Sequence, residues 1–161
     1  MIERASRTLP AARDALVAAI ARDTPGADQR RLIKVLDTLI AWSAARGAKL
    51  AFRTDAKRSD VLAFEIEGTR TVFWSAQVTR GVGPALEIYP PSGGSLGAEE
   101  RALVRETLNA HSRRELADGD RLRIGFGALK NEAARAAVLA LMGRLLAIPA
   151  NGARPVGSPS D

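Results

Sequence analysis

The sequence predicts an α+β domain in the order ααββββαβα: an N-terminal helical hairpin, a four-stranded antiparallel meander plus a fifth strand, and helices packed on one sheet face. Three observations carry this. Apolar residues recur at helical spacing up to about residue 47, alternate with period two between 49 and 89, and then return to helical spacing around one further alternating segment.

The first helix opens at Thr8, a residue type that caps, with Pro10 in the first turn where a missing N–H costs nothing. Leu9, Leu16 and Ile20 form its apolar stripe. Residues 24–28 (TPGAD) break the chain. Asp28 is expected to cap the second helix, in which Leu32, Val35, Leu36, Leu39 and Trp42 form the buried stripe. Gly47 is expected to close it in a left-handed conformation.

The strands follow. Leu50 and Phe52, then Leu62, Phe64 and Ile66, then Val72, Trp74, Ala76 and Val78, then Leu86 and Ile88 each alternate with mostly polar residues. Gly68-Thr69 and the run Gly81 to Pro84 separate strands as hairpin connections. After the loop 90–97, Ser95 is expected to cap a third helix reaching about His111, with Leu96, Val104 and Leu108 inward. Glu99 and Glu100 suit its N-terminal dipole. Ser112 to Glu115 spells a capping box for a short further turn, which Asp118-Gly119-Asp120 ends. Leu122, Ile124 and Phe126 mark the fifth strand. Asn131 caps the last helix, striped by Val138, Leu141, Met142, Leu145 and Ile148. The strands are not separated by regular helices, so a parallel doubly wound sheet is not expected. Residues 1–148 are expected as one domain and 149–161, rich in Pro, Gly and Ser, as a disordered tail.

Composition narrows the chemistry. Aromatics are 4% of the 161 residues, so the core must come from Leu, Val, Ile and Ala. No cysteine is present, which excludes thiolate nucleophiles, disulfides and cysteine-ligated metals. With a single histidine, a transition-metal site is not expected either. No apolar run reaches the ~20 residues that span a bilayer. The Arg-rich N-terminus, interrupted by Arg13 and Asp14, reads as an amphipathic helix and not as a targeting peptide. The expectation is a cytoplasmic protein without a membrane partner, and the Ala, Arg and Gly bias is that of a GC-rich bacterial genome. The net charge is +6 and uneven. Residues 1–60 carry twelve Lys/Arg against seven Asp/Glu, 61–120 six against nine, and 121–161 six against two. Such a balance favours polyanions through long-range attraction.

The alternation places Phe73 and Tyr89 on the polar sheet face beside Arg53, Arg121, Arg123 and Gln77. Aromatics next to arginines can stack on unpaired bases while guanidinium groups hold phosphate. Glu65, Glu67 and Glu87 fall on the same face and oppose this, and the signature of sheet-type RNA readers is absent. Cross-strand ion pairs are the plainer account of that face. The segment 52–60 adds Lys57 and Arg58 to Arg53, partly neutralised by Asp55 and Asp60. At 123–132, Gly125, Gly127, Lys130 and Asn131 could cradle an anion at a helix N-terminus, although neither phosphate-loop pattern is complete. Gln29, Arg30, Arg31 and Lys34 make the second helix basic at its start. This suits groove or phosphate contact, or simply a solvated face.

Catalysis finds less support. His111 ends a helix, where interaction with the dipole accounts for it, and Ser112 and Glu115 are too close in sequence for a productive triad. Glu65 and Glu67 lack the lysine that the common magnesium nuclease pattern requires. The sequence therefore favours a small non-enzymatic binding domain with no metal or cofactor, leaning to nucleic acid or another polyanion. A homo-oligomeric interaction module and a magnesium-dependent hydrolase or nuclease are the alternatives.

Overall fold

The computed structural model describes residues 8–24, 26–47, 49–53, 61–69, 71–79, 83–89, 98–111 and 122–147. Helices α1 (Leu9–Asp23) and α2 (Gly26–Ala44) precede strands β1 (Leu50–Phe52), β2 (Val61–Ile66), β3 (Thr71–Thr79) and β4 (Gly83–Ile88). Helix α3 (Ala98–His111), strand β5 (Leu122–Gly125) and helices α4 (Phe126–Leu129) and α5 (Glu132–Leu146) complete the fold. The five strands lie in sequence order, each antiparallel to its neighbours. The expected mixed fold is therefore the observed one, with α4 as a single added turn.

Register explains the core. Phe52 lies opposite Phe64, Phe64 opposite Trp74, and Trp74 opposite Ile88, so one cross-strand row runs over β1 to β4. Phe64 stacks on Trp74 at 5.3 Å between ring centroids. Helix α1 crosses β2, β3 and β4 and buries Ala12, Leu16, Ala19 and Ile20 against them. Helix α3 covers β5, and α5 packs on α3. Burying each large aliphatic side chain contributes roughly 1.5–3 kcal/mol, which makes this one cluster the main source of stability.

Local expectations hold at several helix ends. Thr8 Oγ1 accepts from the Ala11 N–H at 3.2 Å, and Asn131 Oδ1 accepts from Ala134 at 3.0 Å. Glu99 and Glu100 occupy the first turn of α3. The expected features at Ser95, Leu96, 112–120 and Ile148, and the tail from 149, lie outside the described residues.

Other expectations are corrected. Helix α2 starts at Gly26, so Asp28 lies inside its first turn and instead takes Lys130 Nζ at 3.1 Å. Gly47 is not left-handed: the glycines with positive φ among the described residues are Gly68 and Gly83. Arg46 helps close α2, its side chain donating to the Trp42 carbonyl at 3.1 Å. The buried stripe of α2 ends in Ser43, while Trp42 is half-buried at the rim. Gly83 and Pro84 belong to β4. Pro84 pairs only with Val78, because β5 reaches no further than Ala85, so its missing N–H leaves no gap in the ladder. Phe126 begins α4 instead of ending β5.

The largest correction is at Phe73. Phe64 pairs with Trp74 but Glu65 pairs with Val72, leaving Phe73 as an extra residue on β3. Such a bulge breaks strict alternation. Phe73 is fully buried, and its ring stacks on Trp42 of α2 at 6.5 Å and 15°. Trp74, the next residue, meets Ser43 of the same helix. Two consecutive strand residues thus face one helix, and Phe73 is absent from the polar face.

Candidate functional site

The second sheet face is less open than its sequence pattern implies. Ala63, Ser75, Glu87 and Arg123 lie in one cross-strand row. Ser75 and Glu87 in that row are only 6% and 4% exposed. Tyr89 does lie at the surface, 37% exposed, with its hydroxyl 3.3 Å from Ser75 Oγ. Arg123 is half-buried, with its Nε shielded from solvent. Arg53 is half-buried on the far side of the sheet, where its backbone N–H extends the β1–β2 ladder to Ala63. Four strand spacings separate the Arg53 and Arg123 strands, about 19 Å at ~4.8 Å each. The structure therefore does not bring these residues together. Lys57, Arg58 and Arg121 lie outside the described residues.

The strand-to-helix segment is occupied by structural roles. Lys130 is paired with Asp28, and the Asn131 side chain fills the N-terminus of α5 itself. Gly125 has φ −69°, open to any residue, and a Cβ at Gly125 or Gly127 would meet nothing within 4 Å. No backbone cradle requires glycine there. His111 is half-buried in the last turn of α3. Among the described residues no group of three His, Asp or Glu side chains has the arrangement of a metal site.

A different surface gathers the features that binding needs. The outer face of α2 and one residue of α5 line a groove of about 740 Å³. Its apolar lining comes from Ile33, Ala41, Ala45, Trp42 and, on α5, Leu139. Its cations are Arg30, Lys34 and Arg46. These positions recur every three or four residues, so they share one side of the helix, opposite Leu32, Val35, Leu36 and Leu39. The groove's carboxylate, Asp37, is held by Arg13 of α1 through two bonds, Nε to Oδ1 at 2.7 Å and Nη2 to Oδ2 at 3.0 Å. The hydrogen bond to Asp37 raises the Arg13 pKa above the ordinary arginine value, so this guanidinium stays charged beside Asp37. Arg30 and Lys34 are exposed, and no ion pair engages their side chains among the described residues.

Trp42 anchors the C-terminal half of the groove. Phe73 stacks on it, and the Arg46 guanidinium lies 3.9 Å from its ring centroid. Gly143 of α5 approaches its edge: a Cβ there would sit 3.9 Å from Trp42 Cζ2. Beyond Arg46 a second depression of about 400 Å³ includes Gly47, Lys49 and Leu146. Reasoning from sequence noticed the basic start of α2 but missed Trp42 and Arg46, because Trp42 counts as core in the helical pattern. The available signal was Ser43, which continues the buried stripe seven residues after Leu36 and displaces Trp42 from it.

The fold and groove define an α+β domain with an open antiparallel meander on one side and a basic, aromatic-anchored helix face on the other. Comparison with family models, with curated proteins and with solved structures finds no match in any of the three.

Proposed function

We propose that this chain is a non-enzymatic binding domain for a polyanion, and that the outer face of α2 carries the contact in place of the sheet. One observation supports this most: Arg30 and Lys34 flank a groove whose carboxylate is already neutralised by Arg13. An anion entering there meets cations without first breaking an internal ion pair, so little of the attraction is spent. The second sheet face offers less, since its central row contains a buried glutamate.

The test is binding to heparin and to polyglutamate as the salt concentration is raised. Contacts dominated by ion pairing weaken steeply between about 50 and 200 mM salt. Reversing charge in the variant Arg30→Glu/Lys34→Glu should abolish retention, whereas Arg53→Glu/Arg123→Glu should leave most of it. The opposite ranking would return the contact to the sheet. An absence of retention at about 50 mM salt would end the polyanion reading.

A further inference from the structure

We propose that the polyanion is an acidic polypeptide segment with apolar side chains along one side, seated as a helix in the α2–α5 groove. This rests on the polyanion reading above and names its partner by chemistry.

Charge and apolar surface lie together on α2. Arg30 and Lys34 stand beside a floor of Ile33, Ala41, Ala45 and Leu139, and Lys49 lies in the adjoining depression. A phosphate backbone gains from the cations but nothing from that floor. An acidic amphipathic helix gains from both, because it buries its apolar stripe while its carboxylates meet the rim. Length agrees as well. From Arg30 to the end of α2 at Ala44 the helix rises about 21 Å at ~1.5 Å per residue, the length of a four-turn partner helix.

Trp42 argues against a nucleic acid in particular. Single strands without strong sequence preference use open aromatic faces as stacking platforms. Trp42 is the aromatic side chain lining this groove, and it is already stacked by Phe73 and by Arg46. A base would have to displace the Arg46 guanidinium to stack on the ring face that it covers. Aliphatic side chains need only the groove's floor.

The probes are four fluorescein-labelled polymers of similar length. The first is a 16-residue peptide with leucine at i, i+3, i+4 and i+7 spacing and glutamate elsewhere. The second has the same composition with the leucines dispersed. Polyglutamate and oligothymidylate complete the set. The patterned peptide should bind at least about tenfold more tightly than each of the others, the scale expected for burying an apolar side chain or two. Ile33→Gln should weaken the patterned peptide by about tenfold and leave polyglutamate binding unchanged. Ala41→Glu, at an exposed position that does not support the core, should weaken every anionic probe. Equal binding of patterned and dispersed peptides, or tighter binding of oligothymidylate, overturns this inference and leaves the polyanion reading standing. Binding of none of the four overturns both. A dimer in light scattering that Ile33→Gln dissociates would make the occupant a second copy of this chain, which also overturns it.

Discussion

The indole N–H of Trp74 on β3 donates to Ser43 Oγ on α2 at 2.7 Å, and both residues are fully buried. Ser43 in turn donates to the Leu39 carbonyl at 2.9 Å. The hydroxyl thus uses its one proton on its own helix and its lone pair on the sheet. Ser43→Ala should cost about 1–3 kcal/mol, because a buried indole donor is left without an acceptor. In the Trp74→Phe background the same serine substitution should cost clearly less, since the orphaned donor is gone. Urea denaturation of the four proteins closes this cycle, and equal costs in both backgrounds would show that the bond contributes nothing.

Phe73→Ala should destabilise by about 3–5 kcal/mol, as for other buried aromatics. Tyr89→Ala should cost far less, its ring being 37% exposed. A surface stacking residue would give the reverse order of effects, with Phe73→Ala nearly silent in a thermal melt.

Glycine substitutions separate backbone need from open space. Gly68 and Gly83 have φ of 81° and 98°, so alanine at either should destabilise by about 1 kcal/mol or more. Gly125→Ala and Gly127→Ala should be tolerated, since φ at Gly125 is ordinary and neither position is crowded. Gly143→Ala should stabilise by roughly 0.5–1 kcal/mol through helix propensity, the new methyl resting on Trp42 in ordinary contact. Melting curves measured side by side would decide all five.

Arg13→Ala joins stability to the groove. The Arg13–Asp37 pair is partly exposed, so its loss should cost no more than about 1 kcal/mol. It also leaves Asp37 uncompensated in the groove. Polyglutamate affinity at low salt should therefore fall severalfold, and Arg13→Ala/Asp37→Ala should recover it. Unchanged affinity in the single variant would mean that the anion does not pass Asp37.

The salt of that measurement has to be controlled, whereas its pH matters little for Arg13. Its pKa is raised in the folded state, so its share of stability is present below the ordinary arginine value and is lost only as pH climbs through the higher one. A stability difference between wild type and Arg13→Ala that vanished at mildly alkaline pH would contradict this.

Period and capping made most of the fold legible. Leu16, Ile20, Leu32, Val35, Leu36, Leu39, Leu62, Phe64, Leu86 and Ile88 were all assignable to the core from spacing, and all are buried there. Thr8 and Asn131 were recognisable as caps because a cap is a contact between near neighbours in the chain. What spacing did not show was where the rhythm breaks. The bulge at Phe73 depends on how β2 meets β3, which neither strand records alone, and it removed one of the two aromatics, Phe73 and Tyr89, on which the sheet-face site depended. The groove on α2 was hidden for a similar reason.

Local geometry, then, followed from residue types within a few positions of one another: which segments wind, which extend, and where helices begin. Pairing and packing settled the rest, because the orientation of Phe73, the neutralisation of Asp37 by Arg13 and the placing of Trp42 at a rim each require residues from separate elements to meet. Those meetings are driven by burial, which is non-directional along the chain and leaves no fixed spacing to read.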